Sequence, residues 1–183
     1  MKIGLLPIGQ VNHIALSVIC EKLIKVFADS TCTVLNESLP LSQNAFNKKR
    51  CQYDSNVILN QIRLYANQQE TFALVLGVAD VDLYVPELNF VFGEAYTPGN
   101  SALISLFRLK PEFYGQNPDE ALFLDRALKE AVHELGHTLG LGHCENPKCI
   151  MHFSNSITDT DKKQTLFCNQ CIIQKQVAAK NLR

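Results

Sequence analysis

The sequence predicts an α/β fold built on a mixed five-stranded sheet, and three observations carry that prediction. Short apolar, β-rich runs alternate with segments of helical period through the first 110 residues, the order expected of βαβ units. Two later β-rich runs, Asn89 to Tyr96 and Ala102 to Leu109, are separated by a short turn containing Pro98 and Gly99, which suits antiparallel pairing. A long amphipathic helix then follows, signposted at both ends.

Taken in order, Lys2 to Ile8 is the first strand, closed by Pro7 and Gly9. Ile14 to Phe27 carries Ile14, Val18, Leu23 and Val26 at helical spacing, and Cys32 to Leu35 is β-rich, which makes a βαβ start. A second helix is expected over Ser55 to Gln68, with Val57, Ile58, Ile62 and Tyr65 on one side. The unbroken apolar run Phe72 to Val78 reads as a strand buried on both faces. For the long helix, Asn117 is placed as the cap, Pro118 at the first helical position, Asp119 near the positive end of the dipole and Glu120 at capping-box spacing. Its stripe of Ala121, Leu124, Leu128, Ala131, Leu135 and Leu139 packs on the sheet. Arg126, Glu130, His133 and His137 then look outward. Gly140 ends the helix by adopting the left-handed conformation.

A chain of 183 residues with 46% hydrophobic and 19% charged residues is expected to form one domain, residues 1–183, whose core needs no disulfide staple. A formal charge of −1 lacks the basic excess that nucleic acid or an anionic membrane attracts. No nucleic-acid or membrane partner is expected, and the chain is read as a monomer. The apolar stretch from Ile14 to Ala28 is interrupted by Glu21, Lys22 and Lys25, short of the roughly 18 unbroken residues a membrane span needs. The N-terminus has no signal-peptide core, so the expected compartment is the cytoplasm. There the seven cysteines would stay thiols, and a clustered subset would bind metal. Lys48, Lys49 and Arg50 read as a solvated loop, and Cys20, Cys32 and Cys51 as small core or surface residues.

The chemistry concentrates in the run HELGHTLGLGHC. On a helix, His133 and His137 stand one turn apart, so both imidazoles can hold one zinc ion from the same side. With the chain turned back at Gly140, His143 supplies a third ligand and leaves one position open for water. Glu134 lies about a third of a turn from His133, where its carboxylate meets that water without displacing a ligand. The other histidines, His13 and His152, have no partners at ligand spacing. Cys144, Cys149, Cys168 and Cys171 form a CxxxxC followed, after a loop, by a CxxC, a set able to close a tetrahedral structural zinc site. Adjacent side chains in an extended segment point to opposite sides, so His143 and Cys144 should serve different ions. Two zinc ions per chain are predicted. The CxxC should lie near the start of a helix introduced by Asp159, Thr160 and Asp161.

The run His133 to His143 is the HExxHxxGxxH signature of the metzincin metallopeptidases. The continuation, with Cys144, Cys149, Met151, Phe153, Ser154, Asn155, Ser156, Cys168 and Cys171, closely resembles the archaemetzincins over about forty residues. The N-terminal half agrees in the order of its elements. The resemblance implies a three-layer fold in which the active-site helix lies behind the sheet. Residues 1–141 would form the N-terminal subdomain and 142–183 a C-terminal subdomain held by the four-cysteine zinc. It also implies that Met151 forms a hydrophobic floor beneath the three histidines, and that the activity is peptide hydrolysis with Glu134 as general base on a peptide or protein substrate. Two other classes fit parts of the pattern. A small metal-dependent endoribonuclease family shares the histidine spacing but has glycine where Glu134 stands, and a zinc-stabilised interaction module could carry a latent site. The stretch Lys162 to Arg183, with five basic and no acidic residues, could attract RNA or merely solvate a helix.

Overall fold

The computed structural model describes residues 1–181, with side chains through Lys175. Its strands are β1 (Lys2–Ile8), β2 (Thr31–Val34), β3 (Phe46–Asn47), β4 (Gln52–Asp54), β5 (Leu74–Ala79), β6 (Leu83–Tyr84), β7 (Gly93–Ala95) and β8 (Ser101–Ser105). Its α-helices are α1 (His13–Val26), α2 (Ser55–Gln68), α3 (Glu120–Thr138), α4 (Ile157–Lys162) and α5 (Asn169–Asn181). Five strands form the main sheet in the order β2-β1-β5-β8-β7. All neighbours are parallel except β7, which pairs antiparallel with β8 through Gly93↔Ile104, Glu94↔Leu103 and Ala95↔Ala102. The sheet is mixed and five-stranded, as expected. A second sheet, β3-β4-β6, was not anticipated, because strands of two or three residues display no period to read.

Alternation along β1 divides the core. Ile3 and Leu5 join α1 and α3 residues such as Leu16, Leu23, Val132 and Leu135 on one face, while Leu6 and Ile8 meet Ile58 and Ile62 of α2 on the other. The result is three layers, and β5 is buried along its whole length, as its continuous apolar run demands.

Several elements differ from the expectation in ways that have physical causes. Helix α3 is capped by Asp119, whose carboxylate accepts the Leu122 N–H at 2.9 Å. Asn117 lies outside it, because Pro118 disfavours a helical conformation at the preceding residue. Only Gly93–Ala95 of the expected strand from Asn89 pairs with β8, and β8 stops at Ser105, whose Oγ accepts the Phe107 N–H. Asp159, Thr160 and Asp161 sit in the separate helix α4, where Ser156 and Asp159 form a capping box. The CxxC instead straddles the start of α5.

The supposedly outward face of α3 is covered. Arg126, Glu130 and His133 are 1%, 2% and 5% exposed, because the C-terminal segment clasps them. Arg126 donates through Nε and Nη2 to the two Asp161 carboxylate oxygens at 2.7 and 2.8 Å and through Nη1 to the Leu109 carbonyl. Lys163 Nζ, itself buried, lies 3.2 Å from Glu130 Oε1, so this part of the basic C-terminal stretch pairs internally instead of facing solvent. Lys180 and Arg183 of that stretch lie outside the described side chains. Arg50 also departs from a solvated loop: it donates to the Leu88 and Asn89 carbonyls and stacks over Tyr84 at 4.2 Å. Cys20 and Cys32 form a disulfide where α1 crosses the start of β2, with Cα atoms 5.4 Å apart; spacing alone does not reveal a pair made by packing. Among the described residues, no helix is long and apolar enough to cross a membrane.

Candidate metal centre

The end of α3 explains the convergence of the three histidines. Gly140 has φ of 85°. Its N–H bonds the His137 carbonyl at 2.8 Å, and the Leu141 N–H bonds the Gly136 carbonyl at 3.2 Å, the paired bonds of a Schellman stop. The reversed chain brings His143 back to His133 and His137, so that one ligand-capable atom from each lies within 4.8 Å of the others.

Hydrogen bonding fixes how two of the rings face. His133 Nδ1 donates to the Ile150 carbonyl and His137 Nδ1 to the Leu141 carbonyl, each at 2.7 Å. A carbonyl only accepts, so Nδ1 carries the proton in both rings and, in the neutral form, Nε2 carries a bare lone pair. The two Nε2 atoms face each other 3.1 Å apart. Burial, followed by the charge of Lys163, holds the His133 pKa well below the usual histidine range, and burial likewise lowers His137. Neutral imidazoles aiming lone pairs at each other need a cation between them. Zinc bonds of about 2.0 to 2.1 Å at tetrahedral angles put two such nitrogens about 3.3 Å apart, so the donor set fits zinc.

Glu134 is 5% exposed, and its pKa is raised well above the carboxylate range, first by burial and then by the neighbouring charge of Glu130, with Lys163 opposing. Met151, fully buried, packs against Gly136 between the two helical histidines. Its carbonyl accepts the Cys144 N–H at 2.9 Å. His152 bonds the Cys144 carbonyl, and among the described residues His13 belongs to neither ligand group.

The four cysteines gather as a second group, with all Sγ atoms within 4.8 Å. The Cys144–Cys168 and Cys149–Cys171 sulfur separations are 3.8 and 3.6 Å, far beyond a disulfide bond and close to the roughly 3.8 Å between sulfurs on a tetrahedral zinc. The backbone N–H of Cys171 pulls the Cys168 thiol down to about 7, which favours the thiolate that a metal binds, whereas burial pushes the Cys144 and Cys171 thiols up.

A cleft of about 430 Å³ opens over the histidines, lined by Phe92, by Gly93 of the edge strand and by Phe153, Ser154 and Asn155. Phe153 sits edge-on to His143 at 4.9 Å. The sequence did not single out Gly93, Glu130 or Lys163 as functional. A lone glycine inside a β-rich run does signal a close backbone approach; a buried Lys–Glu pair joining distant segments leaves no local signal.

The model of peptidase family M54 matches residues 18–176. The chain belongs to this family. It is 44% identical over 176 residues to archaemetzincin of Methanocaldococcus jannaschii, covering 96% of this chain and 93% of that one. It is 46% identical over 169 residues to archaemetzincin of Pyrococcus furiosus, covering 91% and 88%. The fold matches the crystal structure of archaemetzincin from Methanopyrus kandleri with a TM-score of 0.85 at 34% identity, over 98% of this chain and 96% of that one. Membership of family M54 makes the chain a zinc metallopeptidase and favours neither the endoribonuclease nor the interaction-module reading.

Proposed function

We propose that His133, His137 and His143 hold the catalytic zinc and that Glu134 is the general base of peptide-bond hydrolysis. The observation that carries this reading is the pair of bare Nε2 atoms 3.1 Å apart, with their Nδ1 protons committed to backbone carbonyls. A bound zinc ion supplies Lewis acidity, bringing the pKa of water toward about 7 and polarising a carbonyl oxygen. Glu134 takes the proton from the attacking water and returns it to the leaving amine. Its burial keeps bulk water from competing for that proton.

The substrate backbone is read as lying antiparallel to β7, whose unpaired edge faces the cleft and offers free N–H and C=O groups. Gly140 supports the site by turning the ligand-bearing chain, and Met151 floors it. The four cysteines are assigned a second, structural zinc, supported by their sulfur spacing. On this reading residues 1–141 form the N-terminal subdomain and residues 142–183 the C-terminal one, joined by that ion and by the Arg126–Asp161 and Lys163–Glu130 pairs. The enzyme is taken as a monomer acting on peptides or proteins in the cytoplasm. The free thiols of the cluster support a reducing compartment, and the Cys20–Cys32 disulfide is the opposing observation.

Turnover of zinc-loaded Glu134→Ala tests the assignment. Losing a positioned acid/base lowers the rate by about 10² to 10⁴, with zinc at the histidines retained; turnover equal to the wild type refutes Glu134 as the base.

A further inference from the structure

We infer that Gly93 is a positioning residue for Glu134: the missing side chain on the edge strand is what lets the carboxylate lie flat against β7 at the cleft floor. The inference rests on the reading of Glu134 as general base.

Gly93 does not owe its place to backbone conformation. The glycines with positive φ are Gly9, Gly115 and Gly140, and Gly93 pairs with Ile104 as ordinary antiparallel strand. Space is what distinguishes the position. A Cβ there would stand 2.6 Å from Glu134 Cγ and 2.7 Å from Glu134 Oε1, where unstrained heavy atoms keep about 3.5 to 4.0 Å. The same Cβ would stand 2.7 Å from the Leu103 carbonyl oxygen of β8, a backbone contact that only a small shift of β7 relieves, whereas the two contacts with Glu134 are relieved by displacement of its side chain. Glu134 is 5% exposed and lines the cleft together with the three histidines, so the open space that can receive a carboxylate displaced by a side chain at 93 is that cleft. A misplacement of about 1 Å at a reacting group lowers a rate on the order of 10²-fold.

The test compares zinc-loaded wild type, Gly93→Ala, Glu134→Ala and the double variant in peptide turnover, zinc content and melting temperature. In Gly93→Ala we expect kcat to fall about 10²-fold, with KM within about 3-fold and zinc content unchanged. In the Glu134→Ala background, where Cγ and the carboxylate are gone, the same substitution should change the residual rate by less than about 3-fold and lower the melting temperature less than it does in the wild type. Three results would overturn the inference: unchanged kcat in Gly93→Ala, equal losses of rate in both backgrounds, or equal losses of melting temperature in both, which would put the need for glycine on the Leu103 carbonyl alone. Should Gly93→Ala not fold, recovery of folding by Glu134→Ala supports the inference and its absence overturns it. Wild-type turnover in Glu134→Ala would instead remove the base assignment, while the melting comparison still reads the contact between the two residues.

Discussion

Glu134 is held nearly out of water against β7 with a second carboxylate, Glu130, one turn below it on α3. Its folded pKa lies above the unfolded value of about 4.3, so the folded metal-free chain binds a proton that the unfolded chain has lost. As pH rises from about 4.3 through the folded value, stability is lost. Burial lowers His133 and His137, which acts in the opposite window: their contribution is lost as pH falls below about 6.5. Glu134→Gln should therefore raise the melting temperature of the metal-free protein at neutral pH, by an amount that shrinks toward pH 4, while abolishing turnover. Thermal scans of both proteins against pH check this; equal melting temperatures throughout would contradict it. At this scale the three histidines, Glu134 and Gly140 were legible because one helix and one left-handed turn set their relation. Gly93, Glu130 and Lys163 were not, since their roles arise where β7 and the C-terminal segment meet α3.

Helix α3 joins the sheet on one side to the C-terminal segment on the other, and charged pairs make the second joint. Lys163 and Glu130 are both almost fully buried, and the Thr160 hydroxyl donates to the same Glu130 oxygen at 3.0 Å, which leaves it to accept from the Ser154 hydroxyl of the cleft wall at 3.1 Å. Removing one member of a buried pair leaves the other charge uncompensated, at a cost of about 3 to 5 kcal/mol. Lys163→Met should cost that much in denaturant unfolding, and Lys163→Met combined with Glu130→Leu should recover most of it; a single substitution costing under about 1 kcal/mol would show that the pair contributes little. The elements with strong periods, β1, α2 and β5, were readable to within a residue or two. Where local competition decides, the detail was lost: Asp119 rather than Asn117 caps α3, and α4 ends before the CxxC.

The described residues build three layers of helix, sheet and helix, and the C-terminal segment folds over the outer face of α3. The two ligand groups differ in what surrounds them. The histidines open onto a cleft, and the cysteines close on each other, so their ions should leave under different conditions. A structural zinc can contribute on the order of 10 kcal/mol to folding. Mild chelation should thus abolish activity before it lowers the melting temperature. Cys149→Ser should cost one of the two proposed ions and lower that temperature; zinc content and melting unchanged in Cys149→Ser would refute the four-cysteine site. The layer order was legible because alternation of runs reports topology. The disulfide and the clasp over α3 were not, because both join residues whose proximity only the finished fold creates.

If the paired histidines and Glu134 make a zinc-dependent peptidase, mass-spectrometric analysis of a diverse peptide library will show it. The library is incubated with zinc-loaded wild type, chelated wild type and zinc-loaded Glu134→Ala, with a structured RNA in parallel. Peptides cut by the zinc-loaded wild type alone, with the RNA intact, are the predicted result. Equal cutting by all three preparations, or an intact library beside cleaved RNA, would contradict it.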